Sequence, residues 1–102
     1  MKALVITEFN KPWEMQTMAD PQPGPGQVLV KIYASGVCGT DAHVLRGDLR
    51  VPANVVLGHE PAGVVDALGA GVTSVRVGDR VGVPWVQSGC DHCAACASGR
   101  PR

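Results

Sequence analysis

The chain has 102 residues, enough for one domain with a modest hydrophobic core. Nine basic residues balance nine acidic ones, and no run of Lys or Arg could follow a phosphate backbone, which argues against nucleic acid as a partner. No apolar run is long enough for a secretory signal or a membrane span, so we expect a cytoplasmic protein without a membrane partner. In that reducing compartment the four cysteines are expected to be metal ligands or free thiols rather than disulfides.

Short strands joined by tight turns dominate the predicted elements, because valine and glycine are abundant and aromatic residues are few. A turn-rich loop is predicted where prolines and glycines cluster, over residues 20–27. A helix is predicted over residues 39–48, with Thr40 capping its start and Gly47 ending it. Many short strands at close spacing favour a mainly β fold, a small antiparallel barrel or sandwich. The predicted strands are residues 2–8, 13–18, 27–35, 62–69 and 76–83.

Two stretches stand apart from the strand pattern and carry the chemistry of metal ligands. The segment GVCGTDAH places Cys38 near Thr40 and His43, and the segment GHEPAG places His59 beside Glu60. One Cys and one His from separate loops are two ligands of a Cys2His catalytic zinc site, which keeps one position open for water or substrate. Each also has a simpler interpretation, because a lone Cys is commonly a small buried hydrophobe and a His beside Glu is commonly a surface pair.

Three further cysteines recur at strict three-residue spacing: Cys90, Cys93 and Cys96. This spacing can direct three thiolates at one ion, but a closed structural zinc site needs four ligands. An iron–sulfur cluster is a weaker interpretation, because a bacterial ferredoxin run would place its fourth cysteine at Arg100. A redox CxxC is also less favoured, since a third cysteine is in phase and no βαβ pattern surrounds the motif.

The segment GHEPAGVVDALGAGV resembles the signature of the zinc-containing alcohol dehydrogenases in the medium-chain dehydrogenase/reductase superfamily. The spacing from Cys38 to His59, the later VGDRVGV and the closing CDHCAAC fit the same family, so the resemblance covers the whole chain. It implies a GroES-like antiparallel β-barrel with one or two short helices. Residues 1–102 would be an incomplete N-terminal catalytic domain, in which residues 86–102 begin a structural-zinc lobe. The family's Rossmann domain has no counterpart here, because no G-x-G-x-x-G follows a strand.

The resemblance also implies catalytic roles for five residues. Cys38 and His59 match two ligands of the catalytic zinc, and Glu60 matches a carboxylate that can approach the metal as an alternate ligand. Thr40 matches the hydroxyl that takes the proton of the substrate alcohol. His43 matches the base that passes this proton to solvent by way of the cofactor ribose, which makes His43 a cofactor-binding residue as well.

In the family, the cysteine lobe holds a structural zinc through four thiolates. Three of them match Cys90, Cys93 and Cys96, and the fourth would fall beyond Arg102. The terminal carboxylate of Arg102, a water molecule, a neighbouring molecule or His92 could complete the shell instead. His92 is a poor candidate because Cys93 would have to bind the same ion from the adjacent position. We therefore expect weak or partial zinc binding by the present chain.

Two residues are matched to the substrate pocket. Trp85 matches a wall of this pocket, although a core aromatic at a strand end is an equal alternative. Leu49 stands where some small-alcohol enzymes carry tryptophan, which implies a roomier pocket that accepts longer alcohols or aldehydes.

The intact enzyme implied by the resemblance is an oxidoreductase that transfers hydride from a primary or secondary alcohol to NAD or NADP. It would be cytoplasmic and homo-oligomeric, with a small alcohol or aldehyde as its substrate and with both catalytic and structural zinc. We expect the present chain to be inactive alone. The alternative is a stand-alone zinc-binding or protein-binding GroES-like module without catalysis. A quinone-reductase-like relative is disfavoured, since such proteins typically lack the cysteine lobe and the pair of Cys38 and His59.

Overall fold

The computed structural model describes residues 1–85, 89–90 and 92–100. Six strands and two short helices lie in this part of the chain, and no helix within it is long and apolar enough to cross a membrane. In chain order they are β1 (Lys2–Ile6), β2 (Glu14–Thr17), β3 (Val28–Ser35), α1 (Gly39–Leu45), β4 (Val55–Val56), β5 (Pro61–Leu68), β6 (Arg80–Gly82) and α2 (Ala94–Ala97).

Strand β1 is the centre of a three-stranded antiparallel sheet with the order β2-β1-β4. Val5 lies opposite Glu14 on one side and opposite Val56 on the other. Because both edges of β1 are paired, its backbone polar groups can be buried without loss of hydrogen bonds, and Ala3, Val5 and Ile6 are buried whereas Leu4 is exposed. Strand β1 therefore supplies most of the small core.

The second sheet is also three-stranded and antiparallel, with the order β3-β5-β6. Its long central pairing runs from Val28 opposite Leu68 to Ser35 opposite Pro61, with two register shifts along β3. Gly63 of β5 is needed for this pairing, because a Cβ at that position would collide with the backbone carbonyl of β3. The pairing brings the end of β3 next to the start of β5, which is where the candidate site lies.

Helix α1 is tied to the first sheet by the loop that follows β1. The backbone N–H of Asn10, in this loop, donates to the carbonyl of Leu45 at the end of α1 at 2.7 Å. A helix of seven residues is too short to be stable alone, so it depends on such tertiary contacts. The buried apolar residues of the described chain are Ala3, Val5, Ile6, Val44 and Val65.

The mainly β, antiparallel fold with few helices is confirmed. Each predicted strand overlaps an observed one, and residues 20–27 form a loop as predicted. The described strands make two separate sheets, and no closed barrel is present among them. The predicted strand 76–83 shrinks to Arg80–Gly82, because a turn with Gly78 at a φ of 95° precedes it.

The predicted helix 39–48 begins at Gly39 as predicted, but its capping residue and its end require correction. The residue that caps its N-terminus is Cys38, not Thr40, and the helix ends at Leu45. Gly47 follows the C-cap Arg46 with a φ of 78°, which only glycine adopts readily, so the prediction that Gly47 ends the helix is confirmed. The predicted lobe of residues 86–102 is described only in part, since residues 86–88, 91 and 101–102 lie outside the described residues.

Candidate metal centre

Two loops that flank the second sheet converge on one point. Cys38 follows β3 and caps α1, while His59 and Glu60 lie immediately before β5. The N–H of Gly36 donates to the carbonyl of Glu60 at 3.1 Å, which extends the pairing of β3 with β5 into these loops. Gly58 has a φ of 98° and turns the chain between β4 and His59, a conformation that other residues rarely adopt. As a result, one ligand atom each of Cys38, His59 and Glu60 lies within 4.8 Å of the others.

A buried carboxylate, Asp41, lies behind this group. One of its oxygens accepts the backbone N–H of Cys38 at 2.9 Å, and the other lies 3.4 Å from Nδ1 of His59. Its side chain is only 4% exposed. A carboxylate that faces Nδ1 of a histidine orients the ring and leaves Nε2 free for a metal.

Asp41 is not among the site residues predicted from the sequence. Its only local signal is its place three residues after the helix cap, where an acidic residue commonly accepts the backbone N–H of the cap.

The thiol of Cys38 lies in a setting that favours its ionised form. The backbone N–H of Thr40 lowers the pKa of Cys38 most, followed by the Thr40 hydroxyl and then by His59. The distance from Sγ of Cys38 to Oγ1 of Thr40 is 3.6 Å. Because the thiolate is the form that binds metal, these contacts prepare Cys38 as a ligand. They also bring Thr40 directly to the group formed by Cys38, His59 and Glu60.

An open cleft of about 680 Å³ lies beside His59 and Glu60, with Trp85 among the residues that line it. The Trp85 ring meets the His59 ring edge to face, with 4.6 Å between centroids and an interplanar angle of 88°. Trp85 is 67% exposed, so it is a wall residue of this cleft and not a core aromatic. Leu49 is exposed and is not among the described residues that line the cleft.

His43 lies on α1 one turn after Thr40, on the same side of the helix. Its Nδ1 is 2.9 Å from Oδ2 of Asp48 and 3.3 Å from a guanidinium nitrogen of Arg46. The side chains of His43 and Asp48 are both half-exposed. The structure therefore places His43 at the solvent side of α1, with charged neighbours of both signs.

The second candidate metal group is formed by Cys90, Cys93 and Cys96, whose sulfur atoms lie within 4.8 Å of one another. Sγ of Cys96 is 3.8 Å from that of Cys90 and 3.5 Å from that of Cys93. The pKa of Cys90 is lowered to about 7, chiefly by the backbone N–H of His92 and then by the thiol of Cys93. Nδ1 of His92 lies 2.5 Å from the carbonyl oxygen of Cys90, so this nitrogen already has a hydrogen-bond partner in the backbone. Arg102 lies outside the described residues.

Both groups fit zinc by the chemistry of their donors. Zinc takes thiolate sulfur, imidazole nitrogen and carboxylate oxygen, and the first group offers one of each. The second group offers three sulfur atoms, which are three of the four ligands that a structural zinc site requires.

Comparison with known families supports the same assignment. The family model described as alcohol dehydrogenase GroES-like domain matches residues 24–102. The chain belongs to this family. That match includes every residue of both candidate metal groups.

The relatives of this GroES-like domain are longer proteins. An alcohol dehydrogenase of Geobacillus stearothermophilus is 47% identical over 102 residues, which are 98% of this chain and 30% of that protein. The chain thus spans less than a third of the curated relative it matches.

Two solved structures are also similar to this domain. A cobalt- and zinc-bound thermostable alcohol dehydrogenase from Pyrobaculum aerophilum has a TM-score of 0.89 and 34% identity, over 99% of this chain and 31% of its own. An alcohol dehydrogenase from E. coli CFT073, complexed with the cofactor NADH, has a TM-score of 0.83 and 42% identity, over 99% of this chain and 29% of its own.

Proposed function

We propose that residues 1–102 are the N-terminal catalytic domain of a zinc-dependent alcohol dehydrogenase. The observation that carries this proposal is the convergence of Cys38, His59 and Glu60 beside a cleft walled by Trp85. Thr40 supports it further, because its hydroxyl touches the Cys38 sulfur at the same point. The intact enzyme would oxidise a small primary or secondary alcohol to an aldehyde or ketone.

The catalytic zinc would be held by Sγ of Cys38 and Nε2 of His59, with Glu60 as an alternate ligand. When bound, zinc supplies a Lewis acid that lowers the pKa of an alcohol hydroxyl. Asp41 holds the His59 ring in the orientation that presents Nε2, because its carboxylate faces Nδ1 at 3.4 Å. The contact of Trp85 with His59 limits the rotation of the same ring from the side of the cleft.

The proton released by the alcohol would pass first to the hydroxyl of Thr40 and then to His43. Thr40 is suited to the first step, since its hydroxyl can donate one proton while it accepts another. His43 lies one helical turn away and half in solvent, which allows it to pass a proton on to water. The proposal also assigns His43 to contact with the cofactor ribose.

Hydride would be accepted by NAD or NADP, bound by a dinucleotide-binding domain outside these 102 residues. The NADH complex of the structurally similar alcohol dehydrogenase supports a nicotinamide cofactor. The second group, Cys90, Cys93 and Cys96, would hold a structural zinc that lacks one ligand within this sequence. Assembly into a homo-oligomer and a location in the cytoplasm stay predictions from the resemblance.

The proposal is tested with the longer protein that contains this chain. We expect alcohol-dependent formation of NADH or NADPH, and a loss of at least about 100-fold in kcat/KM for Cys38→Ala. The matched control is Asp66→Ala, which removes an exposed carboxylate of β5 and should leave the rate unchanged. A zinc-loaded protein that reduces neither cofactor with any primary or secondary alcohol would overturn the proposal.

A second candidate function is a zinc-binding module without catalysis, which would hold its metal through the three thiols of Cys90, Cys93 and Cys96. Zinc content distinguishes the two. In a non-catalytic module, Cys38→Ala should leave the bound zinc unchanged, whereas Cys93→Ala should abolish it. In the dehydrogenase, Cys38→Ala should lose the catalytic zinc and Cys93→Ala should lose the structural zinc.

A further inference from the structure

Nδ1 of His43 lies between two groups that make opposite demands on it. The ionised Asp48 carboxylate, at 2.9 Å, can accept a hydrogen bond but cannot donate one. The Arg46 guanidinium, at 3.3 Å, can only donate one. One nitrogen cannot satisfy both partners, because a neutral imidazole nitrogen either carries a proton or accepts one.

The geometry favours Asp48 as the hydrogen-bond partner of His43 Nδ1. Its contact with Nδ1 is the shorter, and Nε of Arg46 lies 3.3 Å from the same Oδ2 of Asp48, so the guanidinium has the carboxylate as its own acceptor. The pKa of Asp48 is lowered, first by its hydrogen bond with His43 and then by the charge of Arg46, so this carboxylate is ionised at neutral pH. An ionised carboxylate at 2.9 Å requires a proton on Nδ1.

We propose that Asp48 is a positioning residue that holds neutral His43 as the Nδ1–H tautomer and thereby leaves Nε2 unprotonated. Arg46 contributes indirectly, because its contact with Asp48 keeps the carboxylate beside the ring. Other charged groups do not contact the His43 ring within the described residues.

The catalytic consequence, unlike the tautomer itself, rests on the proposed function. In the proposed proton route, a proton leaving the Thr40 hydroxyl would be relayed by way of the cofactor ribose to the lone pair of His43 Nε2, and the imidazolium formed would then release a proton to water. An imidazole held as Nε2–H could not accept a proton at that atom. Asp48 therefore sets which nitrogen of His43 is available as the base.

The tautomer is measured directly on the 102-residue chain, by the nitrogen-15 shifts of the histidine side chains at a pH where His43 is neutral. Loss of one set of signals in His43→Gln assigns them. We expect the Nδ1–H form to dominate, and Asp48→Ala to lower the ratio of Nδ1–H to Nε2–H by about tenfold, the order expected for one partly exposed charge-assisted hydrogen bond. Asp48→Glu should restore part of the ratio.

The matched control is Asp66→Ala, which removes a carboxylate from β5 and should leave the His43 signals unchanged. Because Asp48 is half-exposed, its replacement should not disturb folding. A dominant Nε2–H form in the unmodified chain, or an unchanged ratio in Asp48→Ala, would overturn the proposal.

A second measurement uses the longer protein that contains this chain. There, Asp48→Ala should lower kcat about tenfold, and Asp48→Glu should restore part of the loss, because a carboxylate is again available to hold the proton on Nδ1. A merely structural role for Asp48 would not make kcat follow the tautomer ratio across these two variants. If the protein shows no alcohol-dependent activity while the tautomer ratio still depends on Asp48, the proposed function fails and the inference about Asp48 stands.

Discussion

Replacement of Asp41 by asparagine should weaken zinc binding at the first site by about 10–100-fold, the usual effect of losing a group that orients a ligand. The amide oxygen can still accept the N–H of Cys38, as the carboxylate does at 2.9 Å. The amide NH2 would then take the place of the carboxylate oxygen that lies 3.4 Å from Nδ1 of His59. Since an amide NH2 needs an acceptor, it would favour a proton on Nε2, the nitrogen that should bind zinc.

Asp41→Ala has a different and larger effect on folding. It leaves the part-buried N–H of Cys38 without its partner, which we expect to cost about 1–3 kcal/mol in free energy of unfolding. Urea denaturation of the metal-free chain measures this cost. Asp41→Asn should be milder, because it keeps an acceptor for that N–H.

The assay for zinc affinity is competition with a chelator, in a background where Cys93 and Cys96 are serine so that the second group cannot hold the metal. Asp66→Asn is the control, since it removes a charge from an exposed position of β5. Equal affinities for the unmodified chain and for Asp41→Asn would show that the carboxylate does not orient His59 for zinc.

The pKa of Cys90 is lowered to about 7, so alkylation at Cys90 in the metal-free chain, followed by peptide mass spectrometry, should reach half its maximal rate near pH 7; a midpoint near about 8.5 at this residue would contradict this. Trp85→Ala should change stability by less than about 0.5 kcal/mol but raise the preference for bulkier alcohols about tenfold in kcat/KM. Gly63→Ala should cost about 1–3 kcal/mol in urea denaturation, whereas Gly82→Ala, which has open space for a Cβ, should not.

The residues that carry the candidate chemistry could be predicted from the sequence because their signals are local. Cys38 and Thr40 share one short segment, and His59 and Glu60 share another, so each half of the group is visible in a few letters. The three cysteines at constant spacing are visible in the same way. Their convergence in space, however, depends on the pairing of β3 with β5, which brings together residues far apart in the chain.

Asp41 and Asp48 could not be identified in that way, because an acidic residue near a helix end is usually solvated. The burial of Asp41 and its contact with His59 arise only when the loop before β5 packs against α1. The role of Asp48 depends on where α1 ends. The predicted end, residue 48, lies three residues beyond the observed end at Leu45. Strand β4 was missed for a related reason: two residues are too few to show any alternation, and only their pairing with β1 makes them a strand.

The small core of this chain suggests that metal binding and folding depend on each other. Only five apolar residues are buried among those described, and α1 is held by a backbone contact at its end and by Asp41 at its start. Asp41 connects the cap of α1 to His59, so a metal bound by Cys38 and His59 would join the helix to the loop before β5. A ligand that binds only the folded state adds about 2.7 kcal/mol of stability at a concentration 100 times its dissociation constant. For a domain with so little buried surface, we expect zinc to raise the urea midpoint measurably, and Asp41→Asn to reduce that increase.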